Sequence, residues 1–468
     1  VEPGRDKAIG EIVSRLRSAQ ETGGGAVKVA GTWGSFARLL TSYISQELRR
    51  PILYLCPHIE DADKAQDDLR TFGAADADVL AAWEGEEEIA DATDEIRAER
   101  LRVALKVPEK QEAFTITASV QAICQPVPKP EVLEQSSLLL QADKKLAPEE
   151  AAAWLVDNGF ESVERIDLPG QFARRGGIVD IYAPLVRDKV LREQNGRQSS
   201  QQGADAIRVE FFGDNIESIR QINLDTHLSS ARIEKVGVVS AVCGTGGKDS
   251  SELFLNTLAA DTIVIIDEPA DCREVTQVYL SRVEDSERLY SWENIYEAMG
   301  KFTQLELWRF APSDREQFLK VDVKSVQQYQ RKAGAVWSGH KEALEELVTE
   351  AKKGKEVLLY CEADAEISRV TEIVKQINDK VPAGFKLLKG FIHQGFVISS
   401  LNTIVLSHHE LFGQYGLVRR RQRPVRAGVA VDTLADLHTG DYVVHAGYGI
   451  GRFQGIETIK EKGGANEY

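Results

Sequence analysis

The stretch AGTWGSFARLL, Ala30 to Leu40, follows the short apolar strand AVKVA and opens a helix with Phe36, Leu39, Leu40 and Tyr43 on one face. Strand, glycine-bearing turn and helix make up a phosphate-binding loop: backbone N–H groups cradle phosphates, a lysine reaches the outer phosphates and a hydroxyl holds magnesium. Aligned from Gly31 on the pattern GxxxxGK[ST], Phe36 stands at the second glycine, Ala37 at the lysine and Arg38 at the hydroxyl. A phenyl ring crowds the turn, the charge is lost, and a guanidinium cannot hold a cation. The expectation is therefore a structural turn. Gly31, Gly34, Phe36, Ala37 and Arg38 form a degenerate phosphate loop without ATP hydrolysis.

Outward from this stretch, apolar strands alternate with helical patterns. Ile9, Ile12, Val13 and Leu16 precede the loop at helical spacing. After it come the strand Ile52–Cys56, a helix through Leu69 and Phe72, strands near Val79 and at Phe114–Thr117, and a helix near Arg97–Leu105. Such alternation predicts a parallel sheet covered on both faces. PVPKPEV, Pro126–Val132, punctuates the chain. A helix at Pro148–Asn158 and short strands at Val163–Asp167, Gln171–Arg174, Ile178–Tyr182, Ile207–Phe212 and Ile216–Ile222 then predict an inserted α+β domain on an antiparallel sheet. The strand TIVIIDEP resumes the α/β pattern from Thr262, with helical patterns to about Trp308. A further unit carries EVLLYC after Lys353. The arginine-rich LVRRRQRPVRAG leads to GDYVVHAGYGIGRFQGIETI, whose glycine-broken β-branched and aromatic runs suit a small barrel.

The chain of 468 residues is 43% hydrophobic and 28% charged, the composition of folded domains. Its net charge of −16 disfavours nucleic acid unless basic residues cluster. The five cysteines lack a CxxC pair, which argues against a disulfide framework and a zinc site. No apolar run reaches the roughly 18 to 20 residues of a membrane span, and VEPGRDK lacks a signal-peptide pattern, so a cytoplasmic protein is expected. EKGGANEY stops within a strand-like pattern, as in a chain cut inside a domain.

Four local features bear on function. Asp267 and Glu268 end an apolar strand, as magnesium-holding acids do in ATPases, but without a working loop they read as a polar strand end. In IRVEFFGDN, period 2 puts Ile207, Val209 and Phe211 on one face and Arg208, Glu210 and Phe212 on the other. If the first face is core, an aromatic stands beside an arginine on the solvent side, the composition of an interaction hot spot; a covering helix would bury it instead. Arg174 and Arg175 point to opposite faces, so at least one is expected to be exposed. The five arginines from Arg419 to Arg426 could neutralise DNA phosphates or form a solvated linker, and His408 and His409 read as surface or strand-edge residues.

LPGQFARRGGIVDIYAP followed by RVEFFGDNIESIR resembles a signature shared by the bacterial transcription-repair coupling factors and the excinuclease B protein. HHELFGQ, the arginine cluster and GDYVVHAGYGIGRFQGIETI resemble the factors' entry into a CarD-like polymerase-interacting domain. The resemblance implies a degenerate helicase-like, P-loop NTPase-type parallel sheet in two parts, 1–130 and 224–335. It also implies an inserted domain at 131–223 for binding the excinuclease A protein, then a small α/β domain at 336–416, an arginine-rich linker at 417–431 and a truncated SH3-like barrel at 432–468. Contacts to the excinuclease A protein fall on Arg175, Arg208 and Phe212, and an RNA polymerase beta-subunit contact on Ile459. The implied function is recruitment in transcription-coupled nucleotide excision repair, with no catalytic residue, metal or cofactor in this chain and little or no DNA contact. ATP and magnesium belong to motor domains of a full-length DNA translocase. AAWEGEEEIAD stands where the excinuclease B protein has a DNA-clamping hairpin. An ATP-dependent helicase like the excinuclease B protein is the alternative; a free-standing CarD-like regulator would account for the last few dozen residues only.

Overall fold

The computed structural model describes residues 3–21, 24–82, 96, 99–104, 113–183, 186–187, 206–224, 226–240, 250–283, 286–311, 317–333, 337–412, 442–445, 449–452, 458–461 and 464–467. They fall into two units, residues 1–418 and 419–468.

The first unit is built on a seven-stranded sheet in the order Leu319–Lys320, Gly25–Ala30, Thr303–Trp308, Ile263–Asp267, Ile52–Cys56, Thr115–Ser119, Asp78–Leu80. Every neighbouring pair is parallel. The strands read as continuous apolar runs because both faces are covered. Ile263 and Ile265 pack with Ile12, Leu16, Leu40 and Ile44 from helices on one side. Val264 and Ile266 pack with Cys272, Ile295 and Met299 from helices on the other.

One element departs from the helical pattern expected up to Trp308. Thr303–Trp308 is a buried strand between Gly25–Ala30 and Ile263–Asp267. Its polar residues hide it: Gln304 donates to the Met299 carbonyl at 3.0 Å, and Glu306 accepts from the Trp308 indole N–H at 3.1 Å. These bonds satisfy the Gln304 amide N–H and one Glu306 oxygen, and so make the two residues compatible with a central strand.

The insert carries a six-stranded sheet in the order Ser229–Ile233, Asn215–Ile222, Ala206–Phe212, Ile178–Tyr182, Gln171–Arg175, Glu161–Ser162, and a three-stranded sheet of Val186–Arg187, Lys235–Val239 and Ser137–Gln141. Residues 163–167 are not the strand expected there. The Gln171 side chain accepts from the Asp167 and Leu168 N–H groups at 3.0 and 2.9 Å, which holds a loop. Ser229–Ile233 and Lys235–Val239 lie past the boundary drawn at 223, yet pair with strands of the insert.

A mixed sheet in the order Val323–Ser325, Phe396–Ile398, Thr403–Ser407, Glu356–Cys361, Phe385–Lys389 forms the remaining part of the first unit. One face packs under helices Trp337–Lys352 and Asp364–Asn378. From the other, Leu358, Tyr360, Ile392, Phe396 and Val405 join the same core as Phe36, Leu40 and Ile265. In the second unit Tyr442–His445 pairs with Gly449–Arg452, and Thr458–Glu461 with Gly464–Glu467, both antiparallel.

Candidate functional site

Two places in the first unit carry the residues singled out above: the turn after the first strand of the large sheet, and one face of the insert. At the turn, Gly31 and Gly34 have φ of 91° and 57°, in the left-handed region that favours glycine. Gly31 and Thr32 N–H donate to the Trp308 carbonyl, and Phe36 N–H to that of Trp33. Ser35 N–H donates at 2.9 Å to the carbonyl of Gln394, and the Gln394 N–H returns to the Ser35 hydroxyl at 3.1 Å. Phe36 is fully buried and meets Phe396 edge to face at 5.7 Å between ring centres.

Arg38 points from the helix back beneath the turn. Its Nη1 donates to the Gly34 carbonyl at 3.1 Å, its Nη2 stands 3.3 Å from Asp267 Oδ2, and the guanidinium lies over the Tyr54 ring. Tyr54 donates its hydroxyl to the same Asp267 oxygen at 2.6 Å. Burial alone would lower the Arg38 pKa, but the carboxylates of Asp267 and Asp68 act against it and the net shift is upward. Burial likewise drives the Tyr54 hydroxyl well up, so the group is a neutral donor. Glu268 caps the next helix with φ of 53° and accepts the Arg309 N–H at 2.7 Å. The strand-end acids are thus engaged by protein groups. Tyr54, inside the apolar run ILYLC, gave no sign of this role.

On the insert, the alternation holds. Ile207, Val209 and Phe211 are buried, whereas Phe212 is 78% exposed. The register aligns Arg208 with Asp180 and Glu210 with Ile178, and pairs Ile178 with Arg175 on the next strand. Arg175, Ile178, Arg208, Glu210 and Phe212 therefore share one face. Arg208 grips Asp180 through two contacts, 2.7 and 2.8 Å, and the side-chain hydrogen bond to Asp180 raises its pKa. Arg175 is exposed and donates to the Glu164 carbonyl at 2.7 Å. Arg174 is exposed too and pairs with Glu149. The three residues assigned to one partner are brought together on an open face, with Phe212 and Ile178 as its apolar part.

The two histidines are packed rather than simply superficial. His408 stacks on Phe412 and faces Glu366 at 3.4 Å, and His409 stacks on Phe391. Ile459 lies in the strand Thr458–Glu461 and pairs with Asn466. The arginine cluster from Arg419 to Arg426 and the acidic stretch Glu84–Glu88 lie outside the described residues. Among the described residues no three His, Cys, Asp or Glu side chains are grouped to hold a metal, and no helix is long and apolar enough to cross a membrane.

The family model described as the UvrB interaction domain matches residues 198–242, a segment that includes Arg208 and Phe212 but not Arg175. The CarD-like/TRCF RID domain matches residues 437–468, which include Ile459. Over nearly its whole length the chain also aligns with a transcription-repair-coupling factor of Bacillus subtilis (strain 168): 23% identity across 94% of this chain and 43% of that protein. The chain is similar to the transcription-repair-coupling factors. The factor of Staphylococcus aureus (strain bovine RF122 / ET3-1) agrees, with 20% identity across 87% of this chain and 40% of the relative. The chain thus spans less than half the length of these factors. The resemblance drawn from the two sequence signatures is thereby supported along the chain.

Proposed function

We propose that this chain is the recruitment module of a transcription-repair-coupling factor, linking stalled RNA polymerase to the excinuclease A protein in transcription-coupled nucleotide excision repair. The observation that carries the reading is the open face of the insert. An exposed phenylalanine stands on one face with two arginines, and two of the three lie in the segment matched to an interaction domain. The polymerase contact is placed on the CarD-like segment, between Ile459 and the polymerase beta subunit. In this reading the large parallel sheet is a helicase-like scaffold and the last segment belongs to an SH3-like barrel. The full-length cytoplasmic parent uses ATP and magnesium in a motor outside these residues to translocate on DNA.

The phosphate loop is silent in this proposal, because Ala37 and Arg38 stand where the lysine and the hydroxyl would be and the N–H groups of Gly31, Thr32, Ser35 and Phe36 meet protein carbonyls. Two experiments test the reading. A pull-down with the excinuclease A protein is expected to retain the chain, and to lose it on Phe212→Ala; binding unchanged in Arg175→Ala, Arg208→Ala and Phe212→Ala alike removes the site. Calorimetry with ATP and magnesium is expected to show no binding, whereas tight binding favours the alternative of an ATP-dependent helicase like the excinuclease B protein.

A further inference from the structure

The loop that the sequence marks as defective is not left open. The segment Phe391–Gly395, more than 350 residues along the chain, meets it at Gln394 and Gly395 and is fastened to the helix Ile59–Thr71 beside it at Phe391 and His393. Thr71 donates its hydroxyl to the Phe391 carbonyl at 2.6 Å. The His393 N–H donates to Asp68 Oδ1 at 2.8 Å, and its ring lies 3.4 Å from Asp67. Gln394 exchanges two hydrogen bonds with Ser35, and the Gly395 N–H is held from behind by Glu410 at 2.9 Å. A Cβ on Gly34 would fall 2.7 Å from the Gly395 carbonyl oxygen and 3.0 Å from that of Gln394. Glycine at such a turn ordinarily leaves room for a ligand to approach the backbone; here two carbonyl oxygens fill that room. The Ser35 N–H, a donor of the kind a phosphate loop offers to an anion, is spent on one of them.

We propose that Phe391–Gly395 is the built-in ligand of the degenerate phosphate loop, a strap that locks the small mixed sheet onto the large parallel sheet without nucleotide. This rests on the silent-loop reading and gives the small unit a task within it: one short segment both meets the loop, through Gln394, and holds the two sheets together, through Phe391 and His393 on the helix Ile59–Thr71. The strap presents partial negative charge to the loop's donor, as a phosphate oxygen would, while the buried ring pair of Phe36 and Phe396 secures its end.

Hydrogen exchange on the whole chain tests this, with the loop (31–40) and the strap (388–396) read as separate peptides. Thr71→Val removes the fastening of Phe391 without changing shape, and Asp68→Ala removes that of His393. Both segments are expected to exchange together, roughly tenfold faster for each buried hydrogen bond lost, with Phe212→Ala unchanged. A strap that speeds up while the loop stays slow overturns the lock. Should Asp68→Ala fail to fold, Thr71→Val alone decides. Adding ATP and magnesium separates the two proposals. Slower loop exchange in the unaltered chain overturns the silent loop, whereas no response there, with the loop still slow after the strap is loosened, overturns the strap alone.

Discussion

The Arg38 guanidinium stands 3.3 Å from the Asp267 carboxylate, so the helix Phe36–Leu48 is pinned to the end of a strand more than two hundred residues away. Where a working loop would place a hydroxyl for a cation, this chain supplies the cation itself. Tyr54 completes the arrangement by donating to the same oxygen.

Removing one partner leaves the other charge buried. Arg38→Ala is expected to cost about 3 to 5 kcal/mol, the range for a broken buried pair. Arg38→Met, Asp267→Leu and Tyr54→Phe together replace the whole group by apolar side chains and are expected to recover most of that loss. Urea denaturation of the three chains checks both statements. A single variant as stable as the parent contradicts the buried pair.

Phe212 and Arg208 are expected to behave differently although they share a face. At 78% exposure Phe212 contributes little to folding, so Phe212→Ala should change stability by no more than about 0.5 kcal/mol while weakening a partner some 30-fold, as a hot-spot residue does. Arg208→Ala leaves the buried Asp180 without its guanidinium and should destabilise the insert by roughly 1 to 3 kcal/mol as well. Thermal melts beside the pull-down separate the two effects, and Phe212 is the cleaner probe.

Glu410 gives the first unit a pH dependence. Burial pushes its carboxyl up to about 7 from the ordinary 4.5, against the lowering effect of the Gly395 and Ser407 N–H groups. Between these values the folded chain holds a proton that the unfolded chain has released. Its contribution is therefore complete below 4.5 and is lost as pH rises through 7. Asp68, raised by burial, acts in the same direction, whereas burial of His408 and His409 lowers their pKa and acts oppositely. The difference in melting temperature between the parent and Glu410→Gln, followed from pH 5 to 8, isolates the Glu410 part. It should shrink as pH rises; a constant difference contradicts it.

Gly34 and Gly176 both have positive φ, 57° and 63°, but only Gly34 is crowded. Gly176→Ala meets no atom within 4 Å, so it should cost only the backbone strain, about 1 kcal/mol. Gly34→Ala must also push the strap away and should cost distinctly more, with faster exchange at 388–396. Equal losses in the two variants argue against a close approach.

Much of the architecture is legible in the sequence where one physical signal dominates. Ile52–Cys56 and Ile263–Asp267 announce buried parallel strands by unbroken apolar runs, and period 2 sets Phe212 on the face opposite Ile207, Val209 and Phe211, whereas its exposure is read only from the fold. Thr303–Trp308 escapes because Thr303, Gln304 and Glu306 are polar yet buried between strands that lie far away in the sequence. The departure from the phosphate-loop pattern is read directly from Phe36, Ala37 and Arg38. The contact with Phe391–Gly395 cannot be, because that segment is held largely through backbone groups that no residue type reveals, and it meets Ser35 only after folding. The same holds for Asp68, whose acceptor role depends on that meeting.

The core shared by Phe36, Leu40, Ile265, Tyr360, Ile392 and Phe396 sets how this protein can be dissected. Ending an expression fragment at 335, the boundary that the resemblance implies, strips Phe36 and its neighbours of the side chains that cover them. The shortest piece that keeps its interior dry runs through Phe412. An insert-binding experiment on anything shorter measures a damaged scaffold as well as the face it presents.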